Sequence, residues 1–332
     1  MKKNIINFTI LLIITGLVLY FSLKDNYETI IKEIFNMNPF YLLLALICFL
    51  VYLILKGVIL GNITRKFQPN YKNKSSIRMT FETTFFHAIT PFATGGQPYE
   101  IYRLNKDGVN SMSAANVSIQ AFIVYQIVLV LLGIGAMVYN FYFKLFPQTG
   151  VIKDLVILGF SINILVIVFL FIITYTKRLK KIILEFIVTI LCKTRILKNG
   201  AAVNEKLTTY LSDFDKGAKL LLEDKKQFIK LLIIQFISLA AFYATPYFVI
   251  VAANNYSVSL IESIVTTAYI MIIGAFVPIP GGTGGIEYGF VQFFGNFITG
   301  GALNAMMLVW RFITYYLGMI LGMICLALRK KA

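Results

Sequence analysis

Charged residues, histidine and cysteine are all scarce in this 332-residue sequence, and each shortage excludes a class of protein. Only 14% of the residues are charged, whereas soluble domains carry about 25%. Hydrophobic residues make up 58%, and the mean hydropathy is +0.78. So much apolar surface could not be exposed to water, which excludes a soluble enzyme, a disordered chain and a small disulfide scaffold. The long, uninterrupted apolar runs favour helices over a transmembrane barrel.

Side chains that bind metals or carry redox chemistry are equally few. His87 is the one histidine, and the three cysteines are widely spaced and form no Cys-x-x-Cys pair. Neither a zinc site nor a redox pair can be built from this set. The sequence also lacks a Gly-x-Ser-x-Gly elbow, a Walker loop and a His-Glu-x-x-His motif. We therefore expect no metal, no cofactor and no catalytic residues, and an ATP-driven pump would need its ATPase from a partner.

Seven apolar runs are close to or above the roughly 20 residues that a helix needs to cross the hydrocarbon core. They cover residues 4–23, 39–60, 112–142, 155–175, 228–253, 258–277 and 302–328. The first run is longer than most signal-peptide cores and precedes no cleavage site, so we expect it to be retained. The runs predict an all-α, polytopic membrane protein with about seven or eight transmembrane helices in one integral membrane domain, residues 1–332.

The formal charge of +16 comes from 31 lysines and arginines against 15 acids. In a membrane protein this balance is typical of cytoplasmic loops and of attraction to anionic headgroups, so we expect no nucleic-acid partner. Residues 61–78 are basic, and so is the segment 176–226, which separates the halves 1–175 and 227–332 and includes a predicted interfacial helix at 177–194. The positive-inside rule therefore places both segments and both termini in the cytoplasm.

Two segments are interrupted by proline and glycine and do not fit ordinary spans. Residues 79–96 predict a re-entrant segment, because a full crossing there would place the later basic segment outside. Residues 278–301 also resemble a broken or re-entrant helical hairpin, and we expect a short crossing there that brings the chain to the outer side for its last helix. Both carry the sequence Pro-x-x-Thr-Gly-Gly, which starts at Pro91 and again at Pro280. Matching interruptions in two halves point to a transporter site on discontinuous helices and to a possible inverted repeat.

The residue types of these motifs suit the binding of an anionic headgroup. Glycine lets a ligand approach the backbone, and proline ends helical hydrogen bonding, so that freed N–H groups can point at a phosphate. We expect the N–H groups of Gly95, Gly96, Gly281 and Gly282 to form such a main-chain cradle. The plainer alternative is that both motifs are glycine-rich turns at the membrane surface. The candidate substrate-binding residues are Thr94, Gly95, Gly96, Glu100, Arg103, Pro280, Gly281, Gly282, Gly284, Glu287, Arg311 and Tyr315.

Glu287 and Arg311 are charged residues in apolar surroundings, where a charge normally faces a partner or a cavity. Two compatible interpretations stay open. The residues form an ion pair that holds the second motif, or Arg311 contacts a phosphate while Glu287 orients it or binds a cationic aminoacyl group. His87 is predicted to be a hydrogen-bonded packing residue. Four polar residues within spans predict hydrogen bonds between helices: Gln120, Gln126, Asn163 and Gln235.

These motifs resemble the lysylphosphatidylglycerol synthase transmembrane-region family, also called flippase-like domain proteins, over nearly the whole chain. The resemblance rests on Thr90-Pro91…Gly95-Gly96-Gln97-Pro98…Tyr102-Arg103-Leu104, on Pro278-Ile-Pro280-Gly281-Gly282-Thr-Gly284-Gly-Ile-Glu287, and on Arg311 with Tyr315-Tyr316. Two positions depart from the family. Many members have an acid–base pair where this chain has Ser118-Ile-Gln120, and an acid where Gln97 stands.

The resemblance implies a bacterial inner-membrane protein that moves aminoacylated phosphatidylglycerol to the outer leaflet, an activity linked to resistance against cationic peptides. In the two-part synthases a further cytosolic domain transfers lysine from lysyl-tRNA. We expect this domain to be absent, because the sequence ends at Ala332 directly after the last predicted helix.

The leading functional expectation is translocation of an aminoacylated or other anionic phospholipid, or of a lipid-linked headgroup, between leaflets. The first alternative is an enzyme, namely a phosphatidylglycerol lysyltransferase or a lipid-linked glycan enzyme. The second is an accessory subunit that works with a separate aminoacyltransferase or glycosyltransferase.

Overall fold

The computed structural model describes residues 27–147, 150–176, 182, 223–274 and 277–330. All regular structure in these ranges is helical, which confirms the predicted all-α class. The helices are α1 (Tyr27–Asn36), α2 (Pro39–Thr64), α3 (Asn73–Ile89), α4 (Gly96–Lys106), α5 (Ser111–Phe143), α6 (Gly150–Tyr175), α7 (Lys225–Ala252), α8 (Leu260–Gly274), α9 (Gly285–Phe294), α10 (Gly301–Arg311) and α11 (Leu317–Lys330). The predicted span 4–23 lies outside the described residues, as does the predicted interfacial helix 177–194 apart from residue 182.

Four stretches are long and apolar enough to cross a membrane. They are Pro39–Thr64, Ser111–Phe143, Lys225–Ala252 and Gly301–Arg329, and the last of these combines α10 and α11. Helix α6, with 26 residues, is about 39 Å long at 1.5 Å per residue and also suffices for a crossing. The chain is therefore a multi-pass membrane protein that contacts membrane lipids.

Three helices begin directly after a side chain that caps their first turn, and each capping residue is of a type that favours this position. Asn38 precedes Pro39 at the start of α2, and its side-chain oxygen accepts a hydrogen bond from the Phe40 amide at 2.9 Å. Asn110 caps α5 in the same way, and the Asp224 carboxylate accepts from the Gln227 amide at the start of α7. These contacts satisfy amides that the first helical turn leaves unpaired.

The helices define two ends of the molecule. The Asn38 amide donates to the carbonyl of Ala252 at 2.7 Å, and the Ser238 hydroxyl donates to the carbonyl of Tyr52 at 3.0 Å. Helices α2 and α7 are therefore antiparallel. We call the end with Thr64 and Lys225 the basic end, and the end with Asn38 and Ala252 the opposite end.

Helices α3 and α4 form a hairpin that enters from the basic end and returns to it. The Tyr99 ring stacks on Phe86 with centroids 4.2 Å apart, and its hydroxyl donates to Glu82 at 2.7 Å, which makes the two helices antiparallel. The Tyr71 hydroxyl, just before α3, donates to the Asp107 carboxylate just after α4. This first hairpin, residues 73–106, matches the predicted re-entrant segment.

Helices α8 and α9 form a second hairpin, residues 260–294, which enters from the opposite end. Gly274 lies against Ile286 near the turn, and the rings of Tyr269 and Phe293 lie 5.5 Å apart farther along, so these helices are also antiparallel. The broken helical hairpin predicted in this half is therefore confirmed. The expected full span at 258–277 and the expected short crossing at 278–301 are wrong. With 10 residues, α9 is about 15 Å long, too short to cross.

The order of elements repeats with opposite direction. The first hairpin stands between α2, which runs toward the basic end, and α5, which runs away from it. The second hairpin stands between α7, which runs toward the opposite end, and the last helix, residues 301–330, which runs back. This order matches the inverted repeat suggested by the paired motifs.

The largest buried side chains pack where the second hairpin meets the last helix. The Phe290 and Trp310 rings stack with centroids 5.1 Å apart, and the Trp310 indole N–H donates to the Thr245 hydroxyl on α7 at 2.9 Å. Phe293 and Phe294 complete this cluster. Because Trp310 precedes Arg311, the cluster also fixes the position of that arginine.

Candidate functional site

The two Pro-x-x-Thr-Gly-Gly motifs form the tips of the two hairpins, and the two residues after the motif proline have similar φ angles in both. Phe92 and Ala93 in the first tip have φ angles of 53° and 52°, and Gly281 and Gly282 in the second have 68° and 63°. In both tips the threonine hydroxyl donates to the carbonyl of the motif proline, at 3.0 Å in the first and 2.9 Å in the second. The match in structure ends at the threonine, where ψ is −14° for Thr94 and 137° for Thr283. The next residue also differs, with a φ of −75° at Gly95 and 90° at Gly284.

The first tip holds this conformation without glycine. A left-handed backbone costs a non-glycine residue about 1–2 kcal/mol. Phe92 and Ala93 both adopt it, and the Phe92 side chain is 57% exposed, so its own packing does not explain the strain. Backbone strain of this kind is concentrated at functional sites.

Two of the four amides that were expected to bind phosphate, those of Gly95 and Gly282, are already used. The Gly95 N–H donates to the Thr90 hydroxyl at 2.8 Å, and the Gly282 N–H donates to the Ile279 carbonyl at 2.9 Å. The Gly284 N–H donates to the Glu287 carboxylate at 2.7 Å. The predicted main-chain cradle is therefore wrong at Gly95 and Gly282, because the turns satisfy these donors internally.

The tips contact each other and share a cavity of about 460 Å³. Five of the candidate residues line it: Glu100, Gly281, Gly282, Arg311 and Tyr315. The other seven do not: Thr94, Gly95, Gly96, Arg103, Pro280, Gly284 and Glu287. A cavity of this size, between two discontinuous helices, is the usual form of a ligand site in a transporter.

Arg311 is bound on several sides by the second tip. Its Nε donates to Glu287 at 2.6 Å, its Nη2 donates to the carbonyl of Gly281 at 3.1 Å, and its guanidinium carbon lies 4.5 Å from the Tyr315 ring centroid. Arg311 and Glu287 are 5% and 7% exposed. The ion-pair interpretation is therefore confirmed, and the pair holds the second tip against the last helix.

Tyr315 connects the last helix to the first hairpin. Its hydroxyl donates to the carbonyl of Ala88 at 3.0 Å, and its ring lies where a Cβ at Gly281 would be. Tyr315 belongs to a π-helical turn, Phe312–Tyr316, within the last helix. Such turns are common at functional sites because they redirect side chains.

Arg103 lies at the basic end, away from the cavity. It pairs with the Asp107 carboxylate at 2.5 Å, and Asp107 also accepts from the Tyr71 hydroxyl at 3.2 Å. Burial, together with the Asp107 carboxylate, raises the pKa of Tyr71 well above its usual value, so that Tyr71 remains a hydrogen-bond donor. These contacts close the base of the first hairpin.

A second ionic cluster ties the first hairpin to the last helix at the same end. Glu82 on α3 is completely buried and pairs with Arg78 at 3.3 Å and with Arg329 at 3.1 Å. The Arg78 guanidinium also donates to the Cys325 carbonyl. A buried carboxylate needs such partners to remain charged.

Several residues with other expected roles also line the cavity. The His87 ring is hydrogen-bonded to the carbonyl of Ala93 and fills the space above Gly96, which confirms its packing role. Gln126 on α5 donates to Asn163 on α6 at 3.2 Å, as expected of a contact between helices. His87, Gln97, Gln126, Asn163 and Gln235 are all cavity residues.

Lys56 is a cavity residue that the sequence interpretation missed. It lies within α2, and its Nζ is 5.9 Å from the centroid of the Tyr52 ring. An isolated lysine within a long apolar run was the available signal, because such a residue is a functional candidate in its own right. Because Lys56 is far from both motifs in sequence, it was not predicted to be part of the same site.

Comparisons with known proteins agree with this architecture. Residues 7–322 match the family described as Lysylphosphatidylglycerol synthase TM region. A UPF0104 membrane protein from Archaeoglobus fulgidus is 25% identical over 263 residues, which cover 75% of this chain and 74% of that protein. Because the match extends over nearly the whole sequence, the chain belongs to the lysylphosphatidylglycerol synthase transmembrane-region family.

Proposed function

We propose that this protein moves a membrane lipid between leaflets, with the lipid headgroup passing through the cavity between the hairpin tips. One observation carries the proposal. Two hairpins that enter from opposite ends meet at their tips beside a cavity with charged and polar lining. Non-helical backbone at membrane depth is stable only where it is buried in protein or lines a hydrated cavity.

The first tip offers a route for the acyl chains. Pro91, Phe92, Ala93 and Thr94 are all exposed at the surface of the molecule, although the adjoining part of the tip lines the cavity. A lipid could therefore keep its chains beside this surface while its headgroup occupies the polar interior. Headgroup transfer then avoids most of the cost of exposing a charge to hydrocarbon.

The candidate residues have two roles in this proposal. Glu100, Gly281 and Gly282 face the headgroup. Thr94, Gly95, Gly96, Pro280, Gly284 and the Arg311–Glu287 pair shape and hold the tips. Arg103, at the basic end, and Tyr315, between the tips, position the hairpins. The name of the matching family suggests an aminoacylated or other anionic phospholipid as the cargo.

We further propose that the basic end faces the cytoplasm of a bacterial cell, with the protein in the inner membrane. Basic loops are retained on that side. A fluorescent-protein fusion after Ala332 should fluoresce, and an alkaline phosphatase fusion at the same position should be inactive. The reverse pattern contradicts the orientation.

The test of translocation uses the purified full chain in liposomes. Fluorescent phospholipids reach the outer leaflet faster with the protein than without it, as measured by dithionite quenching. Arg311→Lys keeps a cation but loses the fork-like contacts with Glu287 and Gly281, and we expect at least a tenfold slower rate. Equal rates in protein-containing and empty liposomes contradict the proposal, and equal rates for the wild type and Arg311→Lys contradict the role of Arg311.

The family description also favours an enzymatic alternative, a phosphatidylglycerol lysyltransferase. The purified chain, incubated with lysyl-tRNA and phosphatidylglycerol, should form no lysylphosphatidylglycerol if the protein only translocates lipid. Formation of that product contradicts a transport-only role. An accessory role instead predicts that liposomal transport needs an added partner protein.

A further inference from the structure

Two opposite charges line the cavity without forming an ion pair. Lys56 comes from α2 and Glu100 from the first hairpin. Within the described part of the chain Lys56 makes no hydrogen bond or ion pair, and its Nζ lies 5.9 Å from the centroid of the Tyr52 ring. Glu100 accepts one hydrogen bond, from the neutral Ser118 hydroxyl at 2.7 Å.

The two charges line the same cavity, and no ion pair joins them within the described part of the chain. An intramembrane lysine or glutamate normally has a partner of opposite charge, because an unpaired charge is costly in a low-dielectric interior. Lys56 and Glu100 each lack such a partner among the described residues. The cavity between them therefore leaves both charges available to a ligand.

Arg311 does not compete for this role. Its guanidinium is bound by Glu287, by the Gly281 carbonyl and by the Tyr315 ring. The Arg311–Glu287 pair is neutral as a unit. The charges left to a ligand are consequently one positive and one negative, at Lys56 and Glu100.

We propose that the cavity is specific for a zwitterionic phospholipid headgroup with one phosphate and one primary amine, the phosphoethanolamine class. The phosphate contacts the Lys56 ammonium, and the amine donates to the Glu100 carboxylate. This inference rests on the proposed function and adds the identity of the cargo. A glycerol headgroup with a phosphate alone would leave Glu100 unpaired, which disfavours it.

The transport test compares two lipids in liposomes that contain the full chain. Phosphatidylethanolamine and phosphatidylglycerol each carry the fluorophore on an acyl chain, so that the headgroups stay native. We expect phosphatidylethanolamine to move at least tenfold faster.

Glu100→Gln should abolish this preference, and Lys56→Met should slow both lipids. The control variants Glu28→Gln on α1 and Lys230→Met on α7 lie away from the cavity and should behave as wild type.

A double variant separates ligand recognition from a simple internal ion pair. If Lys56 and Glu100 only neutralise each other, Lys56→Met with Glu100→Gln should restore the wild-type rate and preference. On our proposal the double variant has no preference. Recovery of the preference overturns the inference, as does equal movement of the two lipids by the wild type, and translocation itself stands in both cases.

A binding measurement tests the inference without transport. Dihexanoyl phosphatidylethanolamine should raise the unfolding temperature of the detergent-solubilised chain more than dihexanoyl phosphatidylglycerol does, because only the first pairs with both charges. Lys56→Met should remove the shift. Movement of neither lipid contradicts the proposed function, whereas an equal stabilisation by both lipids contradicts the headgroup assignment.

Discussion

The charged residues at the cavity have two different roles, which depend on whether the charge is paired within the protein. Arg311 is paired with Glu287 and serves to hold the second tip. Lys56 and Glu100 have no such pairing and face the cavity. Residue type alone does not separate these roles, because both depend on which side chains the fold brings together.

Breaking the Arg311–Glu287 pair should destabilise the protein more than removing it entirely. Glu287→Gln leaves a buried arginine without its counter-ion, and we expect a loss of about 3–5 kcal/mol in the free energy of unfolding. The double variant Glu287→Gln with Arg311→Met should recover most of that loss. Denaturant-induced unfolding in mixed micelles measures both. Equal stability of the single and double variants contradicts the prediction.

Gly281 should not tolerate a methyl group. A Cβ there overlaps the Tyr315 ring, and the φ of +68° is unfavourable for alanine. We expect Gly281→Ala to cost about 2–4 kcal/mol of stability, from strain and overpacking. Gly135→Ala on α5 is the matched control, because nothing lies within 4 Å of its Cβ, and it should be neutral or stabilising. Similar losses in both variants contradict the role of the Tyr315 contact.

At the scale of elements, the two hairpins begin their turns with the same pair of left-handed positions but place different residues there. The second tip adopts its left-handed positions with glycine, and the first with Phe92 and Ala93. The hydrogen bond from threonine to the motif proline is present in both. The turn geometry therefore follows from the Pro-x-x-Thr frame, and the strain at the first tip is additional.

Replacing Ala93 with glycine should relieve this strain. The left-handed position costs alanine about 1–2 kcal/mol, and glycine loses about 0.5–1 kcal/mol more conformational entropy on folding. We therefore expect Ala93→Gly to be neutral or to stabilise by up to about 1 kcal/mol. Ala115→Gly, within α5, should destabilise by about 1 kcal/mol. Urea or detergent denaturation compares the two, and a loss at Ala93 equal to that at Ala115 contradicts the strained turn.

The whole molecule consists of two opposed arrangements of span, hairpin and span. The buried Glu82 cluster joins the first hairpin to the last helix at the basic end, and Tyr315 joins them again near the tips. The hairpins therefore cannot move independently of the last helix. These contacts join the first half of the chain to the second, so movement of one half against the other would have to break them.

Labelling from each side of the membrane tests this topology. Single cysteines that replace Lys74 and Lys106, in a variant without native cysteines, should both react from the side of the basic end. Cysteines at Ser259 and Thr299 should both react from the other side, because each hairpin returns to the end from which it enters. Labelling of Lys74→Cys and Lys106→Cys from opposite sides contradicts a re-entrant first hairpin.

Apolar runs and their proline and glycine interruptions were sufficient to predict the helical membrane class and most spans. The same sequence signals identified the family and the paired motifs. The re-entrant first segment also followed from counting crossings against basic loops. These properties can be predicted from the sequence because the apolar length of a segment and the charge of its loops determine whether and how it spans a membrane. Neither quantity depends on which helices pack beside the segment.

Tertiary structure alone decided three other features. The second hairpin turns back at Pro280, although the apolar run before it predicted a span. The Gly95 and Gly282 amides are used within their own turns. Lys56 and Glu100 face one cavity although 44 residues separate them in sequence. Packing between distant helices settles each of these, and a pattern read along one segment carries no information about its neighbours in space.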